Sequence, residues 1–241
     1  MKTSKFLLCL FLVCCVLSQA TAQSLQDCHR VAMDKKDTKQ ENRSVVRIWT
    51  VDTVLDSVDD EIRQIEDAYA ARIAPTLPKA GATANTGSRV DIEVRYSRTG
   101  LTWMSFVIQA RTSYHRKLTG QELTTRTYDM TTGNRILLTD IFPEGSPAWV
   151  LLADAVRTQC LAYFPSEIPE EAALDELCSL ESLRNADFSL HGMSLVLHYP
   201  AYLLYPDHYT LMEVTLMYPE IRPYMTADAQ RETDKIGRAH V

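Results

Sequence analysis

The segment Thr127–Phe142, TYDMTTGNRILLTDIF, constrains the fold more than any other part of the sequence. Its two apolar-bearing arms flank the turn formers Thr131–Asn134, and Gly133 can adopt the positive φ that a tight turn requires. The second arm runs on towards Pro143, a residue that cannot donate to a sheet. The segment therefore predicts a strand, a turn, a short strand and an exit into a long helix.

Residue periodicity on both sides of this segment predicts the remaining elements. Alternating apolar and polar residues predict strands over Val45–Val51, Val90–Tyr96, Leu101–Tyr114, Glu122–Tyr128, Phe188–Leu190, Ser194–Tyr199 and Tyr209–Leu216. Apolar residues at helical spacing predict helices over Asp56–Ile73, Pro147–Phe164, Glu170–Leu183 and Pro219–Met225. The predicted fold class is α+β, with antiparallel sheets, helices packed on one face and two subdomains.

Composition divides the chain along its length. Residues 23–43 are polar and charged and predict a mobile lead-in. We expect the N-terminal subdomain at 44–126, the C-terminal subdomain at 127–228 and a tail at 229–241. The codons ATC GGA AGA GCA CAC GTC encode Ile236–Val241 and resemble a common sequencing-library adapter. We therefore expect residues 236–241 to be an artefact, with the natural reading frame interrupted near Lys235.

The N-terminus predicts the compartment. Lys2 and Lys5 precede the apolar run Phe6–Leu17, and a small-x-small cleavage pattern ends at Ala22. Residues 1–22 therefore predict a signal peptide and a secreted or periplasmic protein. The apolar run is shorter than the roughly 20 residues of a membrane-spanning helix. No transmembrane segment is expected elsewhere.

Three of the six cysteines lie within the predicted signal peptide. Bulky residues precede Cys14 and Cys15, where a lipoprotein signal has a small residue, and this disfavours lipid anchoring. In the mature chain, Cys160 and Cys178 flank a Pro-containing turn and predict a disulfide. Cys28 is then free or pairs between chains.

The charge of the chain bears on its partners. The sequence holds 25 basic and 31 acidic residues, and loss of Lys2 and Lys5 with the signal peptide changes the formal charge from −6 to −8. An acidic chain with no basic run argues against nucleic acid. The balance is compatible with a cationic partner, and it equally serves solubility.

The densest polar and aromatic cluster lies between the last two predicted strands. It contains the candidate ligand-binding residues Tyr199, Tyr202, Tyr205, His208 and Tyr209. Tyrosines give a large contact area at low entropic cost and suit a surface for glycans or proteins. The alternative is a Pro-bounded crossover whose tyrosines fill the edge of the core.

No motif predicts catalysis, a metal or a cofactor. The carboxylates at Asp59–Glu61 and at Glu170 and Glu171 are paired as in a glycosidase, although adjacent acids at helix starts more commonly complement the helix dipole. The separation of His198 and His208 fits no common metal site. We therefore expect no catalytic residues, no cofactor and no bound metal.

The order of motifs carries a resemblance to a known family. The residues are Tyr128–Gly133, Leu138–Phe142, Phe188–Leu197, Tyr199–Tyr202, Val214–Leu216 and Ile221–Tyr224. Together they resemble the extracytoplasmic module shared by lysozyme-sensing anti-sigma factors (RsiV-like) and the non-catalytic part of peptidoglycan deacetylases (PdaC-like). The resemblance covers roughly Val45–Thr226. The chain departs from the pattern at Pro206–Thr210, where members often carry a glycine, and it lacks the anti-sigma transmembrane helix and the deacetylase domain.

The resemblance implies two α+β subdomains and, in the anti-sigma factors, lysozyme binding. We therefore expect a non-catalytic binding module of the bacterial cell envelope, with lysozyme, another envelope protein or peptidoglycan as partner. The alternative is an enzyme that acts on envelope glycans. A third possibility is an assembly or structural factor, which a dimer formed through Cys28 would favour.

Overall fold

The computed structural model describes residues 32–39, 45–73 and 88–234. The predicted signal peptide, Cys28 and the predicted artefact at 236–241 lie outside these ranges. Within the described ranges, no helix combines the length and the apolar character needed to cross a bilayer. The fold is α+β, as predicted from the sequence.

The larger sheet has six strands in the order β1-β2-β3-β4-β5-β6. They are β1 (Ala32–Lys39), β2 (Val45–Asp52), β3 (Ser88–Thr99), β4 (Trp103–Tyr114), β5 (Lys117–Asp129) and β6 (Arg135–Ile136). All neighbouring strands are antiparallel except β2 and β3, which are parallel. This one parallel pair departs from the predicted antiparallel pairing, because the helix α1 (Asp56–Ile73) crosses over between the two strands.

Helix α1 covers one face of the larger sheet. Its apolar residues recur at helical spacing, and Val58, Ile62 and Tyr69 are buried. They pack against alternate residues of the sheet, which include Met104 and Phe106 of β4. This amphipathic match, visible in the sequence, forms the first hydrophobic core.

The remainder of the chain forms the second core around a three-stranded antiparallel sheet, ordered β7-β8-β9. Its strands are β7 (Phe188–Leu190), β8 (Ser194–Pro200) and β9 (Leu211–Met217). Its helices are α2 (Leu138–Ile141), α3 (Ala148–Tyr163), α4 (Glu171–Leu177), α5 (Leu180–Arg184), α6 (Tyr218–Ile221) and α7 (Ala227–Asp234). The two sheets meet where β7 lies against the face of β4 opposite α1. At this contact, Leu190 N of β7 donates a hydrogen bond to Ser105 Oγ of β4 at 2.9 Å.

Several boundaries differ from the sequence prediction. Residues 32–39 of the predicted lead-in form β1, whose polar residues are paired along the whole of β2. The predicted subdomain boundary at 126–127 falls inside β5, and residues 229–234 of the predicted tail belong to α7. The predicted helix Glu170–Leu183 is divided into α4 and α5, because Ser179 Oγ accepts a hydrogen bond from Ser182 N and starts a new helix.

Candidate functional site

The turn between β5 and β6 closes on its own polar groups. Asp129 Oδ1 accepts hydrogen bonds from Thr131 N at 2.8 Å and from Thr131 Oγ1 at 2.6 Å. The carbonyl oxygen of Asp129 accepts from Gly133 N at 2.8 Å. Gly133 has φ +75°, as predicted, and a Cβ there would lie 2.9 Å from Ser57 Oγ of α1. These hydrogen bonds therefore fix the conformation of the turn, and the turn packs closely against α1.

The exit from this turn is capped by a second carboxylate. Asp140 Oδ2 accepts from Leu137 N at 2.8 Å, and this bond fixes the first turn of α2. Thr226, immediately before α7, donates from its N to Ile141 O at 2.8 Å and from its Oγ1 to Asp140 O at 2.9 Å. The start of α7 is thereby joined to the end of the signature segment.

The far end of α7 reaches the β3–β4 turn through Glu232. Its Oε2 accepts from the backbone N atoms of Leu101 and Thr102 at 2.8 Å each and of Trp103 at 3.2 Å. Its Oε1 accepts from Thr102 Oγ1 at 3.1 Å. Glu232 is buried, so its charge is compensated by these donors. Local sequence patterns do not indicate this role, because about 130 residues separate the partners.

Together these three segments enclose a polar cleft of about 670 Å³, which we term the signature cleft. Four carboxylates line it, from Asp129, Asp140, Asp228 and Glu232, together with the guanidinium groups of Arg135 and Arg231. Asp228 and Arg231 form an exposed ion pair on α7. Asp129, Asp140 and Glu232 accept the backbone hydrogen bonds described above. The cleft is thus an acidic surface whose shape depends on the same carboxylates that give it its charge.

A cluster of polar side chains, formed by Ser189, His191 and His198, lies between the two sheets. Ser189 Oγ lies 2.9 Å from His191 Nε2 and 2.7 Å from His198 Nε2. The hydroxyl has one hydrogen, so it donates to one ring and accepts from the other. His198 Nδ1 is 3.8 Å from Glu213 Oε1, and it is buried without a hydrogen-bond partner among the residues that the structure describes.

The order serine, histidine, glutamate resembles a catalytic triad, but the environment is that of a core. Ser189 has no exposed surface, and Glu213 is too distant from His198 for a hydrogen bond. Burial, and to a smaller extent His191, lower the pKa of His198 to about 4. Neutral His198 therefore packs the sheets together, and Ser189 is not presented to a substrate.

The structure separates the tyrosines predicted as a ligand-binding surface. Tyr199 and Tyr205 are buried, at 5% and 2% exposure, and Tyr205 Oη donates to Cys160 O at 3.1 Å. Tyr202 and Tyr209 are exposed, at 41% and 44%. His208 pairs with Glu167 Oε1 at 2.8 Å. Two of the tyrosines thus fill the core, which was the alternative interpretation, and none of the five residues lines the signature cleft.

The predicted disulfide is not formed in the structure, where Cys160 and Cys178 are both free thiols. Cys178 Sγ contacts Ala153 O of α3 at 3.6 Å. Ala153 lies two helical turns before Cys160, so the sulfur of Cys178 is directed towards a different part of α3. Burial raises the pKa of the Cys160 thiol to about 12.

The adjacent acids that suggested a glycosidase have structural contacts. Asp59 accepts from Thr53 N at 2.9 and 3.1 Å through its two oxygens, and Glu61 pairs with Arg126 at 3.1 Å. Glu170 is the N-cap residue of α4, next to the positive end of the helix dipole. These carboxylates lie outside the signature cleft.

Comparison with known proteins gives a likeness of fold. No family model matches the sequence, and no curated protein does. A DUF3298 family member from Bacteroides fragilis is 13% identical, with a TM-score of 0.52 over 86% of this chain and 97% of that chain. A DUF3298 family protein from Pseudomonas aeruginosa is also 13% identical, with a TM-score of 0.49 over 83% of this chain and 94% of that one. The architecture is therefore similar to that of a DUF3298 protein.

Proposed function

We propose that this protein is a secreted or periplasmic, non-catalytic binding module of the bacterial cell envelope, and that its signature cleft contacts a cationic protein. Lysozyme is the partner of this class that the resemblance to the RsiV-like module implies. The single observation that carries the proposal is the composition of the cleft. It is built from the signature residues themselves and has twice as many carboxylates as guanidinium groups.

The carboxylates of the cleft favour binding over chemistry. Asp129, Asp140 and Glu232 accept backbone hydrogen bonds, and this fixes their positions before any partner arrives. A preorganised acidic surface attracts a cationic protein at long range and loses little entropy when the complex forms. The attraction between exposed charges weakens as salt shortens the Debye length, which is about 10 Å at 0.1 M.

A pull-down of the purified protein tests the proposal. The baits are immobilised lysozyme, ribonuclease A as a second small cationic protein, and insoluble peptidoglycan, each at low and high salt. Retention on lysozyme that exceeds retention on ribonuclease A supports the proposal. Equal retention on both cationic baits would show only non-specific charge attraction and would contradict specific binding of lysozyme. Retention on peptidoglycan alone would identify peptidoglycan as the partner and would contradict binding of a cationic protein.

The second candidate is an enzyme that acts on envelope glycans. It is favoured by the gathering of Asp129, Asp140 and Asp228 around one cleft, because glycosidases use paired carboxylates. Incubation with peptidoglycan, followed by mass spectrometry of the soluble fraction, separates the two candidates. The binding-module proposal predicts no released fragments above those of a heat-denatured sample.

A further inference from the structure

A second, smaller cavity lies at the junction of the two sheets. It has a volume of about 220 Å³, close to the space of about seven water molecules. One wall is the edge formed by β5 and β6, and the other is the segment of residues 184–188 that joins α5 to β7. We term it the junction cavity.

Two arginines line the junction cavity with unused donors. Arg184 donates from Nη2 to Glu144 Oε1 at 2.9 Å, but its Nε is buried and has no hydrogen-bond partner among the described residues. Arg135 stands on β6, and within the described part of the chain its guanidinium makes neither a hydrogen bond nor an ion pair. Buried N–H groups are nearly always paired in native proteins, so the Arg184 Nε indicates an absent acceptor.

The same cavity holds one carboxylate with a free oxygen. Asp187 Oδ1 accepts from Thr125 N at 2.8 Å and from Thr125 Oγ1 at 3.0 Å. Its Oδ2 makes no hydrogen bond to a described residue. Burial raises the pKa of Asp187, with hydrogen bonds from Thr125 opposing that change. A cationic group beside Oδ2 would favour the ionised carboxylate.

We propose that the junction cavity binds a small amino acid as its zwitterion. The carboxylate of the ligand takes the donors of Arg135 and Arg184, and its ammonium group lies against Asp187 Oδ2. Guanidinium groups match a carboxylate in a planar, charge-assisted geometry, which explains two arginines at one small cavity. The volume is sufficient for a small amino acid such as alanine. The cavity shares Arg135 with the signature cleft, whereas Arg184 and Asp187 line the junction cavity and not the cleft.

Titration with three probes, followed by amide NMR shifts of the purified protein, tests the two ends of the ligand separately. Alanine carries both charges, N-acetylalanine keeps only the carboxylate, and alaninamide keeps only the ammonium group. We expect alanine to shift the resonances of residues 184–188, N-acetylalanine to bind at least about tenfold more weakly, and alaninamide not to bind. The absence of any shift at alanine concentrations up to about 10 mM would overturn the proposal.

Substitutions identify the cavity as the site of binding. Arg135→Gln changes an exposed side chain and is expected to weaken alanine binding at least about tenfold. Arg184→Gln should have the same effect if it folds, and the exposed Arg135 variant decides the question if it does not. Arg157→Gln is the matched control, because it breaks an exposed pair with Asp175 on α3 and α4 and should bind as the wild type does. Unchanged alanine binding by Arg135→Gln would contradict the assignment, whatever the result of the lysozyme experiment.

Discussion

The backbone carbonyl oxygen of Glu232 lies directly against Gly100, so that a Cβ at residue 100 would come within 1.7 Å of it. The side chain of Glu232 also accepts hydrogen bonds from the backbone N atoms of the three residues that follow Gly100, which are Leu101, Thr102 and Trp103. This contact joins the last helix to the β3–β4 turn and closes one side of the signature cleft. Both the conformation and the space at Gly100 are therefore restricted.

Gly100→Ala is expected to lower the free energy of unfolding by about 3 kcal/mol or more, because a methyl group meets fixed backbone and φ is +69°. Gly145→Ala is the matched control. Gly145 has φ +75° but open space around it, so its substitution should lose only about 1 kcal/mol. Urea denaturation measures both. Equal losses would show that α7 does not pack against the turn as described.

The burial of His198 predicts a pH dependence of stability. Its pKa is about 4 in the folded protein and near the ordinary 6.5 in the unfolded chain, so between these values the unfolded chain binds more protons. Stability should therefore fall as the pH is lowered from 6.5 to 4, by up to roughly 3 kcal/mol for this residue. Asp59 and Asp187 have raised pKa values in the folded protein, so their protonation at acidic pH stabilises the folded state and opposes the effect of His198.

Comparison with His198→Gln isolates the histidine, because the contributions of the carboxylates cancel. The free energy of unfolding of this variant should lose less on acidification than that of the wild type. His115→Gln changes an exposed histidine and leaves the buried group intact, so it serves as the control variant. Parallel slopes for wild type and His198→Gln would show that His198 is accessible to protons in the folded protein.

The outer edge of the smaller sheet is closed by a side chain. Gln159 of α3 donates from Nε2 to Thr215 O at 2.9 Å and accepts from Thr215 N at Oε1, also at 2.9 Å. Gln159→Leu should lower the free energy of unfolding by about 1–2 kcal/mol and speed hydrogen exchange at the Thr215 amide. Thr158→Val, on the exposed face of the same helix, is the control and should change neither quantity. An unaltered exchange rate in Gln159→Leu would exclude the capping role.

The free thiols predict a specific labelling pattern. In a Cys28→Ser variant that begins at Gln23, the partly exposed Cys178 should react with a thiol reagent in the folded protein, whereas the buried Cys160 should react only after denaturation. Counting labelled thiols by mass spectrometry measures this. A disulfide between the two would leave none to label in either state.

Local patterns in the sequence predicted much of the fold. The spacing of Val58, Ile62 and Tyr69 gave α1 its buried stripe, and the alternation in β4 separated Met104 and Phe106 from the opposite face. These predictions succeed because burial of one face is encoded within a few residues of chain. The parallel pairing of β2 with β3 and the strand at residues 32–39 were missed, since pairing partners depend on tertiary arrangement.

The site was less predictable than the fold. The conformation of the signature turn could be read from Gly133, but the cleft beside it depends on Glu232, which the chain brings back from a great distance in sequence. The aromatic cluster at residues 198–209 was a plausible surface by composition. Buried tyrosines also occur in cores when their hydroxyl groups find acceptors, and Tyr205 does so with Cys160 O.

Calorimetric titration of the purified protein with lysozyme tests the central claim most directly. Asp228→Lys reverses a charge at the signature cleft and breaks only the exposed pair with Arg231, and Asp175→Lys makes the same change at the pair with Arg157, away from the cleft. We predict saturable binding that weakens with added salt, about fivefold lower affinity for Asp228→Lys, equivalent to about 1 kcal/mol, and wild-type affinity for Asp175→Lys. No binding at low salt, or equal affinities for the two variants, would contradict a role for the signature cleft.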